Sequence, residues 1–162
     1  MKTTRESIVR LLENYPTMQR QIALLRYEME HPAHISPSEL IGAMSFAKGD
    51  GLGTSSGHIS DKTLYIAMNY QQKAELLNCE AINDVSKRLM ELEQTVDRLH
   101  YYLSLLYEKK KTVLHLYYIE HKPWETICQE MSASSKTMRK IREAAIDELT
   151  DMYAFTTGEV VP

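Results

Sequence analysis

The feature that most constrains this chain is a long stretch with no helix-breaking residue. Between Asp61 and Pro123 the sequence contains neither glycine nor proline, the residues that most destabilise a helix interior. Within this stretch, apolar residues recur at alternating steps of four and three over three heptads, which is typical of a coiled-coil seam. The sequence therefore predicts a long coiled-coil-like helix over residues 61–108. The seam residues are Val85, Leu89, Leu92, Val96, Leu99, Leu103 and Leu106.

A seam of this kind needs a second helix to cover it. The sequence leaves two partners open: a helix over Pro16–Glu30 that folds back within the chain, or the same long helix of a second subunit, which would make the protein a homodimer. The heptad pattern is compatible with either arrangement.

The N-terminal residues 1–47 form a first helical region. Thr3 and Thr4 are good helix caps, and apolar residues at helical spacing predict a helix to about Asn14. Pro16 fits the first turn of a new helix better than the interior of an old one, so a second helix is expected to run to about Glu30. A brief helix over residues 37–46 is followed by a Gly/Ser-rich stretch, residues 48–60, which is expected to be a flexible loop.

Composition limits the function classes. The 162 residues are 43% hydrophobic with a net charge of −3, so the overall charge does not indicate a nucleic-acid partner. An argument for nucleic-acid binding must therefore depend on the charge of one face of the protein. Cys79 and Cys128 lie far apart in helical contexts and are expected to be free thiols. The N-terminus lacks a signal-peptide pattern and no segment is apolar enough to span a bilayer. We therefore expect a cytoplasmic protein with no membrane partner.

The last part of the chain carries the pattern with the clearest functional meaning. After a helix over residues 113–120, a short helix is expected from Trp124 to Met131, then a break at Ser132-Ala133. Ser134 is a strong N-cap for a longer helix to about residue 152. Two helices joined by so short a turn share a core. The fold class predicted is therefore all-α, with a helical hairpin or coiled-coil N-terminal part followed by a C-terminal helix-turn-helix over residues 109–155 and a tail over residues 156–162.

The start of this last helix is basic, with four cations before its first acid, Glu143. Because a helix N-terminus disfavours cations, the bias is better explained by a phosphate-bearing partner. Arg139 and Lys136 are predicted to reach base edges, and Lys140, Arg142 and the run 109–111 to contact phosphates. The predicted DNA-binding residues are Ser135, Lys136, Thr137, Arg139, Lys140 and Arg142.

The segment from Leu114 to Leu149 resembles region 4 of sigma-70 family factors. The matching parts are the Tyr118-Ile119-Glu120 turn, the short helix after it, the Ser134 cap and the residues 137–141. With the Ser60-Asp61-Lys62-Thr63 segment and the long helix, the whole chain resembles the phage and mobile-element regulators of the ArpU and RinA kind in Gram-positive bacteria. This resemblance implies a transcriptional regulator of phage or prophage late genes that binds double-stranded DNA. The coiled-coil helix would then either set the spacing of a dimer or contact a partner such as RNA polymerase. The sequence departs from the pattern at Ser132-Ala133, where a glycine-containing turn is usual.

No enzyme is expected. The histidines and cysteines are scattered without metal-ligand spacing, and no nucleophile, base and acid stand in a catalytic arrangement. We expect no catalytic residue, no metal and no cofactor.

Two other functions remain open. A phage small terminase subunit also joins a DNA-recognition module to a coiled coil, but it assembles into a ring. A protein-interaction module would instead dock on RNA polymerase without contacting DNA.

Overall fold

The computed structural model describes residues 4–40 and 61–157, with side chains described for 4–40 and 68–157. Over these residues the protein is all-α, as predicted, without a β-strand. The predicted loop 48–60, most of the brief helix 37–46 and the end of the tail lie outside this part; residues 37–40 are helical. The helices are α1 (Arg5–Glu13), α2 (Tyr15–Glu30), α3 (Asp61–Leu105), α4 (Glu108–Leu114), a π-helix (His115–Ile119), α5 (Trp124–Glu130) and α6 (Ser135–Thr156).

The N-terminal helices follow the predicted caps. Thr4 and Ser7 form a reciprocal capping box at the start of α1, in which the Thr4 hydroxyl accepts from the Ser7 amide. Such a box satisfies two amides that the helix itself leaves unpaired. Pro16 lies in the first turn of α2, where its missing N–H costs no helical hydrogen bond.

The long helix ends three residues earlier than predicted. The chain leaves α3 at Leu106-Tyr107, and Glu108 already opens α4 with its carboxylate in the first turn. Residues 108–111 thus lie within α4, because lysine is a good helix former and an acid at the start suits the helix dipole. The helix predicted over residues 113–120 is also divided, since α4 passes into the π-helix at His115.

The contacts of the chain define two compact units: unit 1 comprises Met1–Ala23 and Glu91–Pro162, and unit 2 comprises Leu24–Met90. The boundaries expected from the sequence kept the N-terminal helices apart from the C-terminal module. The contacts group them differently, because α1 packs on α6 and on the π-helix.

Unit 1 is built around one main apolar cluster. Leu12 of α1, Leu99 of α3, Leu114 of α4 and Leu149 of α6 are all completely buried in it. Burying a leucine side chain contributes on the order of 1.5–3 kcal/mol, so these four helices stabilise one another. The other buried members are Ile8, Leu103, Leu106, Tyr118, Ala145 and Ile146.

The heptad seam is buried at its C-terminal end. Leu99, Leu103 and Leu106 share the main cluster with residues of α1, and Tyr15, the first residue of α2, donates to or accepts from His100 at 3.0 Å. Leu92, like the seam residues upstream of it, is only half-buried. The cover at this end of the seam thus includes α1, a partner that the sequence did not indicate.

In unit 2 the segment after α2 makes polar contacts with α3. The Asn78 side chain on α3 accepts from the Ile35 amide at 2.9 Å and donates to the Ile35 carbonyl at 3.1 Å. Ala74 is the only apolar residue of this unit that is fully buried among those whose side chains are described. In the part of unit 2 that the structure describes, the Ile35–Asn78 hydrogen bonds therefore join the segment after α2 to α3.

Candidate nucleic-acid interface

The turn between α5 and α6 is a Schellman motif. The Ala133 amide donates to the Cys128 carbonyl and the Ser132 amide to the Gln129 carbonyl, both at 3.1 Å, which is the pairing that defines this motif. Ser132 has φ of 48°, in the left-handed region that glycine occupies most easily. Ser132 thus adopts a conformation that favours glycine, in the Ser132-Ala133 turn where a glycine-containing turn was expected, and the turn forms nonetheless.

The N-cap of α6 is confirmed. The Ser134 hydroxyl accepts from the Thr137 amide and lies 2.9 Å from the Thr137 hydroxyl. Ser134 lies four residues after the end of α5 and fixes the first turn of α6. The residues predicted to bind DNA therefore begin immediately after a defined turn.

A second apolar cluster holds α5 against α6. Val113, Ile127 and Met138 are completely buried in it, with Leu116 nearly so. Trp124 is partly buried and packs on this cluster. The cluster fixes α6 on one side and leaves its opposite side to solvent.

Lys136, Arg139 and Lys140 lie exposed on that opposite side of α6. They make no hydrogen bond or ion pair with any residue in the described ranges. Together with Glu143 and Asp147 they line a shallow surface depression along the helix. We call Lys136, Arg139 and Lys140 the cationic face.

The hydroxyl residues at the start of α6 are also exposed. Ser135 accepts a hydrogen bond from the Trp124 indole N–H at 2.9 Å. Its own hydroxyl proton remains available, since a hydroxyl donates once and accepts twice. Ser135 can therefore serve the α5–α6 packing and still donate to a phosphate oxygen.

Arg142 occupies a different position from the cationic face. Its guanidinium carbon lies 5.4 Å from the ring centroids of both Tyr117 and Trp124, within the range of a cation–π interaction. One guanidinium nitrogen binds Glu143 at 2.9 Å. The structure thus places Arg142 against the aromatic side chains that support α6, away from the other predicted contact residues.

The lysine run before the module is only partly available. Lys110 binds the Glu148 carboxylate at 2.6 Å, which ties α4 to α6. Lys109 is exposed and Lys111 half-buried. One lysine of the predicted phosphate-contacting run therefore has an internal partner.

Two acids continue the line of the cationic face, and both are paired. Arg5 of α1 binds the Glu143 carboxylate and also Asp147, with 2.9 Å between its Nε and Asp147 Oδ1. No local sequence signal joins Arg5 to residues this far along the chain, so sequence reasoning missed this contact.

The turn before α5 is held by a separate ion-pair group. Lys122 donates to Glu130 at 2.9 and 3.1 Å, and its ammonium lies 3.3 Å from Glu120. The hydrogen bond with Glu130, and to a smaller extent that with Glu120, raises the pKa of Lys122 above its ordinary value. The pairing connects the two ends of α5 and so supports its position beneath α6.

Among the side chains described, no three histidine, cysteine or acidic residues are grouped so that they could hold a metal ion. No helix in the described part is long and apolar enough to cross a membrane.

The fold and site together define an all-helical protein with a cationic helix face supported by a short packed helix. The chain belongs to the family described as "Protein of unknown function (DUF722)", which matches residues 4–151. No curated protein and no solved structure matches the chain.

Proposed function

We propose that this protein is a sequence-specific DNA-binding transcriptional regulator of the cytoplasm, in which α5 and α6 act as a helix-turn-helix. The observation that carries the proposal is the cationic face: three exposed basic side chains without a partner in the described structure, at the start of a helix that a packed core holds in place. In helix-turn-helix proteins the start of the second helix enters the major groove.

The roles of the side chains follow from their chemistry and position. Arg139 presents a fork of donors that matches the O6 and N7 atoms of guanine, and Lys136 reaches a neighbouring base edge. Lys140 binds phosphate, as do the hydroxyls of Ser135 and Thr137. Arg142 contributes indirectly, because its cation–π contacts with Tyr117 and Trp124 help to hold α6 in position.

The proposal also gives the long helix α3 a role. In the proposal the long helix sets the spacing of a homodimer or contacts RNA polymerase. The resemblance of residues 114–149 to sigma region 4, and of the whole chain to ArpU- and RinA-like regulators, supports phage or prophage genes as the target. No step of this mechanism is catalytic.

The experiment is a DNA-binding titration of the full-length protein with its own upstream region and with a scrambled duplex, across a salt series. Arg139→Ala is expected to weaken specific binding by about 1–3 kcal/mol, the usual cost of one bidentate base contact. Arg88→Ala removes an exposed arginine of unit 2 and serves as the matched control, for which no change is expected.

Three outcomes would alter the proposal. Equal weakening of both duplexes by Arg139→Ala would make this residue a phosphate contact. The absence of wild-type binding at low salt would contradict DNA binding and favour a module that docks on RNA polymerase. A ring-sized mass in solution would favour a terminase-like subunit over a regulator.

A further inference from the structure

We propose that Arg5 of α1 is a positioning residue for the DNA-facing side of α6: it holds Glu143, which would otherwise pair with the cationic face, and it neutralises Asp147 on the same side of the helix. This inference depends on the proposed function. It gives the N-terminal helix a part in DNA binding that neither the charge pattern nor the family assignment indicates.

Arg5 is placed by two independent features of α1. The Thr4–Ser7 capping box fixes the first turn of the helix, in which Arg5 is the first residue. Ile8 and Leu12, one and two turns further on, are buried in the main cluster with residues of α6. The arginine is therefore held beside α6 by packing as well as by its own ion pairs.

The two oxygens of Glu143 are occupied by two different arginines. Oε2 pairs with Arg5 and Oε1 with Arg142. Asp147, one turn further along α6, also pairs with Arg5. Each acid that follows the cationic face is thus turned toward an arginine outside that face.

This arrangement prevents a competing pair within α6. Glu143 follows Arg139 by four residues and Lys140 by three, the spacings at which side chains on a helix meet and form ion pairs. Neither pair forms in the structure, where Arg139 and Lys140 have no partner in the described ranges. Arg5 therefore leaves both cations available to DNA.

Loss of Arg5 has two consequences for a bound phosphate backbone. Glu143 Oε2 becomes free to pair with Arg139 or Lys140, and Asp147 becomes an unneutralised negative charge on the same side of the helix. Exposed ion pairs of this kind have small energies, so we expect DNA affinity to fall about two- to fivefold. The salt dependence is expected to lose about one released counterion, because one cation is diverted from phosphate.

The test measures binding of the full-length chain to a short mixed-sequence DNA duplex at low salt and across a salt series. Arg5→Gln is compared with Arg10→Gln, which removes one positive charge from an exposed position on the same helix. A triple variant adds Glu143→Gln and Asp147→Asn to Arg5→Gln and so removes the acids that Arg5 neutralises. Thermal unfolding of each variant shows that it is folded at the temperature of the titration.

The expected result is weaker binding and a shallower salt slope for Arg5→Gln, no change for Arg10→Gln, and recovery of wild-type affinity in the triple variant. A purely structural role would lower the unfolding temperature without changing the salt slope of the folded protein, and that result would overturn the inference. A triple variant as weak as Arg5→Gln would also overturn it, because Arg5 would then contact DNA itself.

If Arg5→Gln does not fold, the double variant Glu143→Gln with Asp147→Asn decides the question. It keeps Arg5 and is expected to bind DNA at least as tightly as the wild type; weaker binding contradicts the inference. Wild-type protein that fails to bind DNA removes the proposed function and this inference with it, whereas binding unaffected by Arg5→Gln removes the inference alone.

Discussion

Unit 1 and unit 2 differ most in how far their described apolar side chains are buried. Unit 1 buries leucines from α1, α3, α4 and α6 in one cluster. In unit 2, within the part whose side chains are described, only Ala74 is fully buried. Large apolar side chains of this unit remain exposed instead: Leu24, Tyr27, Ile35, Met68, Leu76, Ile82 and Met90.

This contrast shows which part of the chain can support a precise surface. A side chain that must meet a base edge has to be held by a packed core, and α6 has two such clusters behind it. Small folded units bury a limited share of their surface and are marginal when the core is sparse. The candidate DNA surface therefore lies in the unit whose own packing fixes it, and unit 2 presents apolar surface of the kind that the proposed dimer would cover.

The largest expected effect compares two leucines of the same helix. Leu99 in unit 1 is completely buried, whereas Leu76 in unit 2 is 59% exposed. Leu99→Ala is expected to reduce the free energy of unfolding by about 2–5 kcal/mol, the range for removing a core leucine. Leu76→Ala is expected to change it by less than about 0.5 kcal/mol. Urea denaturation of both variants measures the difference.

Because both substitutions lie in α3 and replace leucine by alanine, their effects on helix propensity cancel. Comparable losses for the two variants would contradict the comparison. They would show that Leu76 is covered in solution, and a dependence of its effect on protein concentration would identify the cover as a second copy of the chain.

The sequence predicted features that depend on local pattern. The uninterrupted stretch and its heptads predict α3, since helix-breaking residues and apolar period are local properties. Ser134 was predicted as the cap of α6 for the same reason, because a cap depends on its own side chain and the amide three residues on. The exposure of Lys136, Arg139 and Lys140 followed from the helical period of the module.

What the sequence did not predict depends on tertiary contact. Arg5 and Glu143 meet only because α1 packs on α6, and no periodic pattern relates the two. Arg142 was assigned to DNA together with its basic neighbours, although the rings of Tyr117 and Trp124 receive its guanidinium. Charge alone does not distinguish a cation that faces solvent from one that packs on aromatic side chains.

A smaller effect is expected from a half-buried tyrosine of unit 1 whose hydroxyl is buried. The Tyr153 hydroxyl is buried with no hydrogen-bond partner among the residues described, and its ring packs edge-on against Tyr102 with centroids 4.7 Å apart. Burial, reinforced by Tyr102 and opposed by Arg98, raises the pKa of Tyr153 to about 12. Tyr153→Phe is expected to raise the free energy of unfolding by about 0.5–1 kcal/mol at neutral pH, since an unpaired polar group is removed.

The raised pKa of Tyr153 also gives the sign of a pH effect. The folded state favours the neutral phenol over the ionised one. The stability that this preference contributes is complete below the ordinary tyrosine pKa of about 10 and is lost as pH rises toward 12. Urea denaturation at several alkaline pH values is expected to show a shallower loss of stability for Tyr153→Phe than for the wild type. Tyr27→Phe, at an exposed position of unit 2, is the control; an equal change in both variants would contradict the assignment to burial.

The smallest expected effect lies in unit 2 and has the opposite pH sign. Glu39 Oε2 accepts hydrogen bonds from both the amide and the hydroxyl of Ser36 at 2.9 Å. The bond from the amide, and to a smaller extent that from the hydroxyl, lowers the pKa of Glu39. The local stabilisation is therefore present above the ordinary glutamate pKa and is lost as pH falls through the lowered value. The Ser36 amide resonance is expected to titrate with a midpoint below the ordinary glutamate range and to stop titrating in Glu39→Gln. A midpoint at or above that range would contradict the hydrogen-bonded turn. The described part of unit 2 would then have one specific polar contact fewer, and its contrast with unit 1 would become sharper.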